Sequence, residues 1–87
     1  MKLNNTQCKN FKPEDKPYKK ADGGGMYLEV MPNGSKYWRM KYRFADKEKR
    51  LALGVYPQVT LAEARKKREE AKENIRNGFD PALSDKR

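Results

Sequence analysis

Between Lys36 and Phe44 the chain alternates with period two: Trp38, Met40, Tyr42 and Phe44 occupy one set of positions, Tyr37, Arg39, Lys41 and Arg43 the other. Successive side chains of a β-strand point to opposite faces, so this run predicts a strand with one apolar and one cationic face. A helix would mix the two sets around its circumference. Such a strand needs a sheet buried on one side only, and a cover for that side. Residues 26–31 supply a preceding strand, and Asn33-Gly34 is a strong hairpin signal in which both central turn positions take φ > 0. Ala45-Asp46-Lys47 makes a second turn, and residues 48–53 return as a third strand. Leu51 and Leu53 join its apolar side and Arg50 its cationic side.

The cover follows in the sequence. Thr60-Leu61-Ala62-Glu63 reads as a capping box opening a helix. Leu61, Ala64, Ala71 and Ile75 then form one stripe, interrupted only by Arg68, whose stem can lie along apolar surface. Asn77-Gly78 stops the helix and Asp80-Pro81 confirms the stop. Arg65/Glu69 and Lys66/Glu70 are i,i+4 pairs of opposite sign, so the helix charges largely answer one another. At the other end, Asn4 or Asn5 can cap a short helix burying Leu3, Cys8 and Phe11 before Lys12-Pro13 ends it. Gly23-Gly24-Gly25 has no helix after it, which favours a plain turn over a phosphate-cradling loop. The fold expected is α+β: a three-stranded antiparallel meander on one C-terminal helix. Residues 18–21 form a short extended piece with room to add a further N-terminal strand, and residues 81–87 read as linker.

Eighty-seven residues make one small domain. The 21 Lys and Arg outnumber the 12 Asp and Glu by nine, and mean hydropathy is −1.22. With no histidine and one cysteine, a Cys/His zinc cluster and an internal disulfide are both excluded, and the commonest general base is missing. Catalysis by this chain alone is not expected, nor is any cofactor. No run approaches the roughly 20 apolar residues of a membrane span, and residues 1–10 lack a signal peptide's apolar core, so a soluble cytosolic protein without a membrane partner is expected.

The positive charge is concentrated. Between residues 35 and 50, seven cations face only Asp46 and Glu48. Outward positions of one sign in a row are costly unless a polyanion relieves them, and nucleic acid is the first candidate. Arg39, Lys41 and Arg43, with Arg50 on the same cationic side, are the candidate contacts. Tyr37 on the same face would pack beside a sugar or serve as a plain cross-strand aromatic. Lys36, Lys47 and Lys49, nearer the hairpin ends, suit phosphates. The parity of Trp38 puts it in the core rather than on a base-stacking platform. Lysines from Lys9 to Lys20 either touch phosphates or solubilise the arm. A protein-interaction module that docks neighbouring subunits or an accessory factor is the alternative class. RNA binding comes third, since the cationic face has one aromatic where RNA-reading sheets offer two or three.

Several motifs stand in a fixed order: residues 19–28 (KKADGGGMYL), Gly34-Ser35-Lys36-Tyr37-Trp38-Arg39, Leu53-Gly54-Val55-Tyr56-Pro57, Leu61-Ala62-Glu63-Ala64-Arg65 and Gly78-Phe79-Asp80-Pro81. Together they resemble the N-terminal arm-type DNA-binding domain of prophage-type tyrosine recombinases, the phage integrases. The resemblance covers nearly the whole chain; Asn5 stands where Asp is common and Cys8 where an aliphatic residue is common. It implies that residues 1–81 bind double-stranded DNA at arm-type sites, with the sheet in the major groove, and that residues 82–87 lead toward the core-binding and catalytic parts of an integrase. It also implies other integrase subunits as partners in a recombination complex, a monomeric isolated domain, and the cytoplasm of a bacterial host.

Overall fold

The mid-chain alternation does form a two-faced strand. In the computed structural model, which describes residues 2–84, a short helix α1 (Asn5–Asn10) precedes four strands: β1 (Tyr18–Gly23), β2 (Met26–Val30), β3 (Lys36–Phe44) and β4 (Lys47–Tyr56). The strands form one antiparallel sheet in chain order. Helices α2 (Leu61–Arg76) and α3 (Pro81–Ser84) follow.

The expected three strands are thus four. β1 pairs along its length with β2, from Tyr18 opposite Val30 to Gly23 opposite Met26. Only Asp22 of its six residues is buried, so it is an edge strand held by backbone hydrogen bonds and carries no alternation to read. The segment after Asp80 also differs from a plain linker. Residues 81–84 make a helical turn, and the Ala82 N–H donates to Asp80 Oδ1 at 3.0 Å.

Trp38, Met40 and Tyr42 are buried with Met26, Leu28, Val30 and Leu53, as their parity requires. Leu61, Ala64 and Ala71 of α2 close over them, and Leu3 and Cys8 join from the α1 side. Phe44 and Ile75, expected in the core, are half-buried at its margin. Both main helices open with capping boxes, Asn4 with Gln7 and Thr60 with Glu63.

The turn chemistry differs from expectation. The Gly34 N–H donates to Met31 O at 2.9 Å, so Pro32 and Asn33 occupy the centre of that turn and only Gly34 takes a positive φ, of 94°. The two-residue turn with both φ positive falls instead at Ala45 (53°) and Asp46 (64°). Proline at the second turn position favours the first arrangement, because its ring fixes φ near −65°.

β4 runs to Tyr56, beyond the expected end at Leu53, because a bulge re-registers it. Gly54 pairs with Trp38 and Ala52 with Arg39, leaving Leu53 as an extra inward residue. Gly54 has φ of 141°, and a Cβ there would lie 2.3 Å from Val59 Cγ2. That close approach lets Val59 O accept from Trp38 Nε1 at 2.7 Å. Gly54→Ala is therefore expected to destabilise the domain by about 2–5 kcal/mol, from backbone strain and overpacking together. Urea unfolding followed by Trp38 fluorescence measures this; an unchanged midpoint would show that Gly54 is not needed there.

Candidate nucleic-acid interface

The strand pairings sort every side chain of the sheet to one of two faces. Both main helices pack on the face that carries Trp38. The other, open face carries Lys19 from β1, Tyr27 and Glu29 from β2, Tyr37, Arg39, Lys41 and Arg43 from β3, and Glu48, Arg50, Ala52 and Val55 from β4.

Several cations that turn to the helix-covered face are held within the fold. Lys36 shares the parity of Trp38, and its Nζ donates to the carbonyls of Cys8 (2.7 Å) and Lys9 (3.2 Å) in α1. Lys49, paired with Tyr42, donates to Asp80 Oδ2. Arg65 does not pair with Glu69 as its i,i+4 spacing suggested. It binds Asp22 through Nε (3.0 Å) and Nη2 (2.8 Å), and Nη2 also donates to Leu3 O at 2.7 Å. Arg68 adds Nη1 to Asp22 at 3.1 Å and to Gly23 O at 3.1 Å. Burial opposes ionisation of Asp22. Hydrogen bonds from Arg65 and the Leu3 amide, with the charges of both arginines, outweigh it and hold the carboxyl below its ordinary value.

On the open face the balance is different. Lys41 and Arg43 are exposed, and their side chains have no hydrogen-bond or ion-pair partner among the described residues. Lys41 lies opposite Arg50, and Arg43 opposite Glu48. Lys19 Nζ sits 5.2 Å from the centre of the Tyr27 ring. Arg39 is held at one edge by Glu29, Nε to Oε1 at 2.8 Å, and lies 5.4 Å from the centre of the Tyr37 ring. A depression of about 300 Å³ is lined by Lys19, Lys41, Glu48, Lys49 and Arg50.

Of the eight residues expected at a DNA interface, the structure brings Tyr37, Arg39, Lys41, Arg43 and Arg50 together on the open face. Lys36 and Lys49 lie on the opposite face in internal bonds, because alternation carries them there. Lys47 sits at the tip of the β3–β4 hairpin, paired with Phe44. β1 and β2 place Lys19, one of the lysines weighed for phosphate contact, and Glu29 beside Tyr37 in one cross-strand row; alternation in β2 was the signal available for Glu29. Among the described residues there is no His, Cys, Asp and Glu group able to hold a metal, and no helix long and apolar enough to cross a membrane.

A family model described as the arm DNA-binding domain matches residues 3–87. The integrase of Enterobacteria phage P4 is 60% identical over 99% of this chain and 20% of its own length. The integrase of Shigella phage Sf6 and the prophage integrase IntS of Escherichia coli (strain K12) are each 44% identical over 92% of the chain and 21% of their own length. The chain therefore spans about one fifth of these curated relatives.

The internal bonds of Lys49 set a pH window. Hydrogen bonds from Lys49 and Tyr42 lower the Asp80 carboxyl from 3.8 to about 2. Burial and the same carboxylate push the Tyr42 phenol up to about 12 from 10. A depressed carboxyl stabilises the fold fully above its unfolded value and loses that contribution as pH falls through its folded one; a raised phenol loses its contribution as pH rises past 10 toward 12. The clasp is thus complete between about pH 4 and 10. Carboxyl NMR titration is expected to place Asp80 near 2, with stability falling between pH 4 and 2 less steeply in Asp80→Asn. An Asp80 that titrates at an ordinary value would contradict the clasp.

Proposed function

This chain belongs to the arm DNA-binding domain family of phage and prophage integrases, and we propose that its open sheet face enters the major groove of double-stranded arm-type DNA sites. In this reading residues 1–81 are the arm-site-binding unit and residues 82–87 the passage toward the rest of an integrase. The unit acts in the bacterial cytoplasm, in DNA integration and site-specific recombination, alongside other integrase subunits, and is monomeric in isolation.

One observation carries the proposal: the open face gathers Lys19, Arg39, Lys41, Arg43 and Arg50 against Glu29 and Glu48, and Lys41 and Arg43 project from it unpaired among the described residues. A row of uncompensated cations on a twisted sheet is an electrostatic footprint for a polyanion. Mid-strand side chains of a sheet in the major groove meet base edges, and a guanidinium can pair with both acceptors of guanine. Lys47 at the hairpin tip and Lys19 at the β1 edge stand where groove walls would pass, and a flexible point charge suits phosphate there. Lys36 and Lys49 have structural work instead.

The test begins by selecting a preferred duplex from a random library. Arg39→Ala is then expected to shrink the preference for that duplex over single-base variants by about 1–3 kcal/mol. Lys47→Ala should weaken all duplexes alike and make the log–log salt slope shallower by about one unit. If Arg39→Ala lowers every affinity equally with the preference intact, the face is an electrostatic platform and base readout lies elsewhere.

A further inference from the structure

A carboxylate in the middle of a surface that meets a polyanion weakens binding unless it does something else there, and Glu29 is such a carboxylate. Its strand partners are Lys19 on one side and Tyr37 on the other, both on the open face. Its Oε1 accepts from Arg39 Nε at 2.8 Å, diagonally across β2 and β3, and only 14% of its side chain is exposed against 32% for Arg39. The Lys19 ammonium is turned toward the Tyr27 ring at 5.2 Å. Arg39 is thus fixed through its inner edge and flanked by the Tyr37 ring at 5.4 Å. Neither of its Nη groups has a hydrogen-bond partner among the described residues.

We infer that Glu29 is a positioning residue for base readout: it holds the Arg39 guanidinium by Nε so that the two Nη groups present a preset fork to guanine. This rests on the open face being the one that meets DNA. The physical basis is preorganisation. A free arginine samples many rotamers and loses that freedom on binding, whereas a guanidinium held by a carboxylate and an aromatic ring has lost it already. The same fixation gives discrimination, because a fork that cannot swing leaves its donors unpaired against a wrong base. Glu29 therefore trades overall affinity for specificity.

Charge and positioning separate experimentally. Glu29→Gln and Glu29→Ala both remove one negative charge, so both should tighten binding to random duplex by a few-fold at low salt. The glutamine retains an amide oxygen for Arg39 Nε–H, and should keep most of the preference for the selected duplex over single-base variants. Glu29→Ala should lose roughly tenfold of that preference, at the same base pair that Arg39→Ala affects. In an Arg39→Ala background, Glu29→Ala should cost no further preference, since its action passes through Arg39. The free protein offers a readout independent of DNA: the Arg39 Nε–H resonance should be sharp and slow to exchange in the wild type and in Glu29→Gln, and lost in Glu29→Ala. Equal preferences in the alanine and glutamine variants, or a full loss persisting without Arg39, overturn the inference. A loss of preference in neither Arg39→Ala nor Glu29→Ala overturns instead the underlying reading of the open face.

Discussion

Asp22, next to last in β1, carries a carboxylate sealed from solvent, and segments far apart in the chain close on it: the Leu3 amide before α1, and Arg65 and Arg68 from α2. An ionised group is buried at a cost of several kcal/mol unless its lone pairs are filled, and here they are filled by charged donors and a backbone N–H. The consequence is architectural. α2 is tied to the edge strand and the N-terminal segment is tied to both, so both main helices lie on one face of a small sheet. Among the described residues no helix covers the other face. A two-layer domain of this size exposes half of its sheet, and what that half carries decides what the protein can meet.

The carriers are sorted by parity. Side chains in register with Trp38 fall on the helix side, and two of their cations are drawn into the fold: Lys36 onto the last carbonyls of α1, Lys49 onto Asp80. Those in register with Arg39 fall on the open face, where Glu29 and Glu48 are the only carboxylates in the paired strands. Five cations against two carboxylates thus leave the open face positively charged. In the proposed reading affinity and selectivity rest on different groups: lysines at the tip and edge would meet phosphates, and a guanidinium clamped by a carboxylate would meet a base edge.

Much of this was legible in the sequence, and what was missed has physical causes. Trp38, Met40 and Tyr42 alternate with three cations, so burial and the cationic face could both be read from β3. α2 could be read from its capping box and apolar stripe. β1 could not be read as a full strand, because an exposed edge strand held by backbone bonds leaves no hydrophobic pattern. Arg65 does not meet Glu69, because i,i+4 spacing sees only the helix, while Asp22, which Arg65 shares with Arg68, lies 43 residues away. Lys36 and Lys49 suit phosphates by charge and by their place near the hairpin ends, but the alternation that buries Trp38 and Tyr42 also turns them toward the helix side. Proline at position 32 moved the doubly positive-φ turn from Asn33-Gly34 to Ala45-Asp46.

The central claim is that DNA meets the open face of the sheet and leaves the helix face untouched. Side-chain NMR of the chain bound to a duplex chosen from a random library tests it most directly. Intermolecular contacts should connect Tyr37, Lys41 and Arg43 to major-groove base protons, with Ala62, Lys66 and Glu70 on the outer side of α2 unshifted. Contacts confined to α1 or α2, with the β3 side chains unperturbed, would contradict it.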